Sequence, residues 1–215
     1  MKVTLLDYTQ KGDELAAIAA AVCYNAKPSE KALRHTIASG HESVIEHVNF
    51  TFKIEDVSRT LLAQLTRHRI ASFSVQSQRY CDMSEMPVVV PESIKKNKEM
   101  LNRFGIVLDA IKTVYQEAVK AGIPKEDARF ILPNAVMTTI VFTANARELR
   151  HFFSLRCCNR AQWEIRELAD KMLAICKEKC PVIFENAGPG CVRNDCPEEK
   201  PCGKPRYNEE LFIPF

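Results

Sequence analysis

RHRIASFSVQSQRY, Arg67 to Tyr80, carries three arginines, one histidine, four hydroxyl-bearing side chains and two glutamines, with no acid. The acid-free stretch runs from Val57 to Cys81 and takes in Arg59 as well. In a chain whose formal charge is only +3, so one-sided a segment points to an anion site, because arginine meets phosphate with a planar fork of donors. Ser72, Ser74, Ser77 and nearby backbone N–H groups are suited to completing a phosphate cradle. The competing reading is a basic helix end that complements the helix dipole and faces water. The segment itself reads as loop-like, so the elements on either side of it decide the fold.

Upstream, Leu61, Leu62 and Leu65 form the apolar face of a helix capped by Asp56 or Ser58, which delivers Arg67, His68 and Arg69 at its C-terminal end. Before it, VNFTFKI alternates Val48, Phe50, Phe52 and Ile54 with Asn49, Thr51 and Lys53, the period of a half-buried strand. Two helices are expected earlier. One spans Asp13 to Ala26 with Asp13 as N-cap, and one spans Ser29 to Ser39 and stops at Gly40. Downstream, the prolines of PVVVP confine that short strand-like piece to an edge or a connection. Asn97 to Ala121 is the longest helical pattern, with Leu101, Phe104, Leu108, Ile111, Tyr115 and Val119 on its core stripe. Pro124 suits the first turn of a short helix through Ile131, and AVMTTIVFTA reads as a buried strand. Asn145 and Glu148 have the spacing of a capping box, opening a helix with Arg147, His151 and Arg156. A last long helix covers Gln162 to Lys179.

The 215 residues suffice for one substantial core, read as a single domain over 1–215 with two lobes as the alternative. A 46% hydrophobic and 27% charged composition is that of a globular chain, and the small net charge gives no argument for nucleic-acid binding. No apolar run reaches the length of a membrane span. The start, MKVTLLDYTQKGDE, turns polar too early for a signal peptide. Nine cysteines without such a signal fit a reducing compartment, and a cytoplasmic location is expected.

Two further segments carry chemistry. NARELRHFFSLRCCNR holds Asn145, Arg147, Arg150, His151, Arg156 and Arg160. Arg147 and His151 are four apart and share a helix face, and Arg156 follows Phe152, Phe153 and Leu155, where a cation wants a specific partner. The alternative is an arginine whose stem lies along the core while its head stays wet. GHESVIEH holds His41, Glu42, Ser43, Glu46 and His47. Its His-x5-His interval is not a helical i,i+4 pair, so no metal is assigned to it, and capping or polar contacts are the plainer reading.

Taken together these segments resemble the flavin-dependent thymidylate synthases. RHRIASFSVQSQRY is similar to the signature of that family, Arg-His-Arg followed after seven residues by Ser77. GHESVIEH, EDARFILP, TANAREL and LRCCNRAQWEIR resemble its other segments in the same order, through about Glu185. The resemblance implies reductive methylation of dUMP to dTMP, with carbon from 5,10-methylenetetrahydrofolate and hydride from FAD that NADPH re-reduces. It implies an α/β (α+β) fold, with long helices packed on a small, mostly antiparallel sheet, unlike a Rossmann domain. In keeping with that, the chain lacks a G-x-G-x-x-G fingerprint. A homotetramer with shared active sites is also implied, with no nucleic acid or membrane as partner. A non-catalytic nucleotide- or RNA-binding module is the alternative from another class.

By motif position, Arg67, His68, Arg69 and Ile70 resemble flavin ligands, joined by Ser43, Glu46, Asn145, Arg147 and His151, with His41 near the ring. Gln64, Gln76, Ser77, Gln78, Arg79 and Arg129 resemble dUMP ligands. Arg156 resembles the residue that touches the pyrimidine and is the catalytic candidate, since a positioned cation can stabilise charge at N3 and the carbonyl oxygens as C5 becomes nucleophilic. Ser77 reads as a ligand in preference to a nucleophile, because no Asp or His base stands beside it in the sequence. Val75, where some relatives carry an acid or amide, and Arg160, where some relatives carry histidine, depart from the pattern.

The tail, about 186–215, is rich in Cys, Gly and Pro and is expected to be irregular. Cys191, Cys196 and Cys202 are spaced more widely than a Cys-x2-Cys knuckle. Reduced thiols are expected there and no metal is assigned, a zinc or iron–sulfur site being the alternative.

Overall fold

A computed structural model describes residues 1–206, so the end of the expected tail, 207–215, lies outside the described residues. The elements in chain order are β1 (Lys2–Tyr8), α1 (Gly12–Val22), α2 (Glu30–Ala38), a 3-10 turn at Glu42–Ile45, β2 (Asn49–Ser58), α3 (Arg59–Leu65) and β3 (Ala71–Val75). There follow α4 (Glu92–Lys95), α5 (Lys98–Lys120), α6 (Lys125–Ala128), β4 (Met137–Asn145), α7 (Ala146–Arg156), α8 (Trp163–Lys179) and α9 (Pro181–Phe184). The strands form one sheet in the order β1-β2-β4-β3. Its register is antiparallel: the hydroxyls of Thr51 and Thr143 meet at 3.0 Å, while Arg59 N–H reaches the Val136 carbonyl at 3.1 Å, so partner numbers fall as residue numbers rise. A mixed helical chain with a small antiparallel sheet is thus what the sequence folds into.

Several local signals act as expected. The Ser29 Oγ accepts from Ala32 N–H at 3.1 Å and starts α2, and Gly40 beyond its end has φ of 79°. Asn97 caps α5 through Met100 N–H at 3.1 Å. Between the two candidates for α3, Ser58 is the cap, accepting from Leu61 N–H at 3.0 Å; Asp56 takes a left-handed conformation with φ of 58°. The PVVVP segment makes only an isolated bridge, Val88 to Val136.

Other expectations need correction. Asp13 does not cap its own helix. Lys11 holds that position, and the Asp13 carboxylate accepts instead from Val182 and Ile183 N–H, both at 3.0 Å, at the start of α9. Burial pushes the Asp13 pKa up, against the pull of these two bonds. The preceding Gly12 is required by space, since a Cβ there would lie 2.7 Å from both Cys180 Sγ and Val48. The segment expected to be loop-like contains β3, and the polar N-terminus contains β1. The strand AVMTTIVFTA is buried on one face only, alternating in burial along β4.

The chain divides into two compact units. The first comprises residues 1–2, 54–64 and 74–140. Its core is Met83, Met86, Tyr115, Ala118, Ala128 and Val136, with Leu108, Ile111 and Val119 of α5 packed against it. Tyr115 satisfies its buried hydroxyl by accepting from Met83 N–H at 3.3 Å. Leu101, expected on the same stripe, is exposed. The second unit comprises residues 3–53, 65–73 and 141 onward. Its core is aromatic, with Phe50 edge-on to Phe184 at 5.6 Å and Phe152 edge-on to Phe153 at 5.6 Å, geometries that aromatic quadrupoles favour.

Candidate active site

In the second unit the chain leaving α3 turns at once, His68 N–H bonding to the Leu65 carbonyl at 3.1 Å. The His68 ring is carried inward to 4% exposure, against the edge of Phe152 at 4.9 Å. Its Nδ1 lies 3.0 Å from Glu148 Oε1, and its Nε2 lies 3.1 Å from Arg156 Nε. An arginine Nε–H only donates, so Nε2 is the acceptor and the proton sits on Nδ1, donated to Glu148. Burial holds the His68 pKa below its ordinary 6.5 and Arg156 adds to this, while the Glu148 carboxylate opposes it. His68 is therefore a neutral imidazole linking a buried carboxylate to a guanidinium.

Local sequence explains why Glu148 is available. Asn145 Oδ1 accepts from Glu148 N–H at 2.9 Å, which is half of the capping box. The other half, a bond from the Glu148 carboxylate back to Asn145 N–H, is not made because that carboxylate turns to His68 instead.

Around this chain of three side chains opens a cavity of about 710 Å³. Arg67, Arg69 and Ile70 line it from the turn after α3, and Glu46 lines it from the segment before β2. Asn145, Arg147, His151 and Arg156 complete it from the start and one face of α7. Arg147 is ion-paired to Glu46, so two segments about a hundred residues apart are tied at the cavity rim. Of the residues assigned to flavin by resemblance, only His41 and Ser43 do not line this space; both are exposed, His41 just before the 3-10 turn and Ser43 within it. Burial pushes the Arg156 pKa down, and Arg67 pushes it in the same direction. The lining sets Arg67, Arg69, Arg147 and Arg156 against Glu42, Glu46 and Glu148, with Leu155 and the exposed Ile70 as apolar surface. Arg160 turns away from it, bonding to the Lys200 carbonyl and lying 3.7 Å from Glu198.

The first unit carries Gln64, Gln76, Ser77, Gln78, Arg79 and Arg129. Gln76 N–H extends the ladder of β3, bonding to the Thr139 carbonyl at 2.9 Å. Ser77 begins a tight turn: its Oγ accepts from Arg79 N–H at 3.2 Å, and its carbonyl accepts from Cys81 N–H at 2.9 Å. No carboxylate or imidazole among the described residues bonds to Ser77 Oγ, as a nucleophile would need. Arg79 pairs with Glu126 and lies over the Tyr80 ring at 5.4 Å. Arg129 Nε donates to the Glu126 carbonyl at 3.1 Å. Gln64 donates to the Thr60 carbonyl at 3.4 Å, one helical turn back.

Three participants escape sequence reasoning. Glu148 lies eighty positions from His68, so only the unreturned capping box hinted at it. Glu42 holds Arg150 at 2.9 Å, and Arg150 also donates to the Ile183 carbonyl at 2.6 Å. Arg59 donates to the Gln76 carbonyl at 3.4 Å, yet its buried Nε has no partner. Burial and nearby Arg129 both lower the Arg59 pKa, so these two arginines bring positive charge beside the Ser77 turn. The place of Arg59 in the acid-free stretch was the available signal for it.

Residues 4–182 match the model of the thymidylate synthase complementing protein family. The chain belongs to that family. A flavin-dependent thymidylate synthase from Geobacter sulfurreducens is 45% identical, over 99% of this chain and 98% of the relative. Relatives of the same name from Clostridium tetani and Pyrococcus furiosus are 40% and 44% identical, covering 99% and 92% of this chain and 97% and 90% of their own lengths. The resemblance read from the ordered motifs is borne out. Among the described residues no helix is long and apolar enough to cross a membrane.

Proposed function

We propose that this chain synthesises thymidylate, methylating dUMP to dTMP as an FAD-dependent enzyme with NADPH and 5,10-methylenetetrahydrofolate as co-substrates. The observation that carries the reading is the cavity that gathers Arg67, Arg69, Asn145, Arg147 and His151 around the Glu148–His68–Arg156 chain. Its volume is that of a small-molecule site. Arg67, Arg69 and Arg147 suit a pyrophosphate, and Ile70 with Leu155 offers apolar surface to a flat ring system. FAD therefore fits the residues present, with Arg67, His68, Arg69, Ile70, Glu46, Asn145, Arg147 and His151 as its holders and His41 and Ser43 at the approach. When bound, it supplies the hydride that reduces the transferred carbon.

The chain's own residues do the rest. Arg156 faces the pyrimidine and stabilises negative charge at N3 and the carbonyl oxygens, making C5 a carbon nucleophile without itself giving up a proton. His68 fixes the direction of that guanidinium by accepting at Nε2, and Glu148 fixes His68 by accepting at Nδ1. Ser77, Gln78 and Arg79, with Gln64, Gln76 and Arg129, bind dUMP, the phosphate falling to the basic turn. Arg59 adds charge to the same turn. Ser77 is a ligand in this scheme. The chain works as one catalytic domain, in the cytoplasm, within a homotetramer whose subunits share sites.

An absorbance spectrum of purified protein tests the cofactor, and dUMP-stimulated oxidation of NADPH with appearance of dTMP tests the reaction. Protein that stays colourless after incubation with FAD, and forms no dTMP, would sink the proposal. Binding of dUMP with neither flavin nor turnover would instead support the non-catalytic module.

A further inference from the structure

Cys158, Cys191, Cys196 and Cys202 all line one cavity of about 440 Å³ in the second unit. Each is a free thiol. Cys158 lies just past α7, and the other three come from the tail. We propose that these four thiols are the ligands of a structural zinc-class cation, a soft dication that four thiolates hold tetrahedrally.

The backbone supplies what the sequence spacing lacked. Cys191 and Cys196 bracket a tight turn in which Asp195 N–H bonds to the Gly190 carbonyl at 3.0 Å and Asn194 N–H to the Cys191 carbonyl at 3.1 Å. Asn194 is left-handed, with φ of 55°. Gly190 packs so closely that a Cβ on it would lie 1.9 Å from the Asp195 carbonyl oxygen. Only glycine permits this turn, which brings two cysteines with a wide interval to one cavity.

Two observations outside the cysteines point to the same occupant. Arg206 backbone N–H is aimed at Cys191 Sγ at 3.3 Å, the kind of donor that favours a thiolate ligand. The cavity wall also carries Arg156, Arg160, Lys204 and Arg206 against a single acid, Glu198. Four thiolates around a dication have a net charge of about −2, and the cations of this wall offset part of it, Arg160 and Arg206 being also paired with Glu198 and Asp170.

The segment also lacks another source of order. No residue from Cys191 to Arg206 is buried, and past Arg193 none is in a helix or strand. Its ties are polar: Asn159 to the Lys204 carbonyl at 2.8 Å, and Arg206 to both oxygens of Asp170 at 2.8 and 3.0 Å. So little apolar burial does not offset the entropy of ordering such a chain, whereas metal binding supplies folding free energy directly. Among the described residues no three such side chains already meet at metal-binding distance, so loading draws the thiols inward from the cavity wall.

The test uses full-length protein purified anaerobically with reductant. About one zinc per chain is expected by elemental analysis. Titration of metal-depleted protein with cobalt(II) should give intense thiolate charge-transfer bands and tetrahedral d–d bands, which zinc abolishes. The Cys191→Ser/Cys202→Ser protein should lose both signals, and the Cys23→Ser/Cys81→Ser protein should keep them. Should the first variant fail to fold, the cobalt spectrum of the unaltered protein decides alone. Absence of those bands and of stoichiometric zinc overturns the proposal, as does an iron–sulfide chromophore, a disulfide among the four under anaerobic conditions, or full metal retention in the double-serine protein. None of these readouts depends on thymidylate formation.

Discussion

Replacing Glu148 with Gln tests the link between fold and site most directly. The carboxylate and the His68 ring are both buried, with side-chain exposures of 8% and 3%, and bond at 3.0 Å. Gln has the same shape and still offers one acceptor oxygen, so no cavity opens. What is lost is the difference between a hydrogen bond to a charged group, about 1.5–3 kcal/mol, and a neutral one, about 0.5–1.5 kcal/mol. The expected destabilisation is thus about 1–2 kcal/mol, read as a lower midpoint in urea at pH 7.5 with an unchanged slope. A structural role alone would stop there. A positioning role also moves the titration of His68, and the sign is fixed. Burial is the largest influence lowering the His68 pKa, and Glu148 pulls against it. Removing the carboxylate must therefore lower the pKa further. Imidazole NMR signals followed from pH 8 to pH 4 should show the His68 midpoint below that of the unaltered protein. An upward shift, or none with the stability loss intact, would refute the tautomer and the direction assigned to Arg156.

The same depression gives the unaltered protein a pH dependence. The unfolded chain binds a proton on His68 near the ordinary 6.5, while the folded chain resists it. Stability should rise with pH between the folded and unfolded values and fall on acidification through that window, measured as urea midpoints from pH 5 to pH 7.5. Arg156→Ala should lower dTMP formation at least about a hundredfold, the scale for removing a donor aimed at developing charge, while the flavin spectrum persists. Arg69→Ala should instead bleach the purified protein, and activity should return only with excess FAD. Ser58→Ala removes the cap of α3 and should cost about 1 kcal/mol, seen in the urea midpoint of the full chain.

What could be read from the sequence follows the range of the interactions involved. Caps are local, so Asn145 was legible as one and the helix starts at Ser29 and Asn97 were placed, and each of the three accepts from a backbone N–H three positions on. The long apolar periods of α5 and α8 were legible for the same reason. Asp13 misled because its sequence context is that of a cap, while its partners, Val182 and Ile183, are at the other end of the chain. β3 was hidden inside the basic motif because five residues give too few alternations to outweigh the flanking charges.

The site divides along the same line. Cationic and amide residues were legible as a crowd within short motifs, and the cavity confirms that Arg67, Arg69, Asn145 and Arg147 are brought together. The acid that holds His68, and through it Arg156, was not, since a buried carboxylate is indistinguishable in sequence from a solvated one. Glu148 shows why this matters chemically. An acid-free motif suggests unopposed positive charge, but His68 inside it is neutral and has a carboxylate on one nitrogen. The cavity therefore holds two kinds of group: permanent cations at Arg67 and Arg69 of the motif and at Arg156 of α7, and a tuned acceptor at His68 that aims the last of them. A purely cationic loop would hold an anion; adding a fixed acceptor sets the orientation of a guanidinium, which is what stabilising charge on a ring needs.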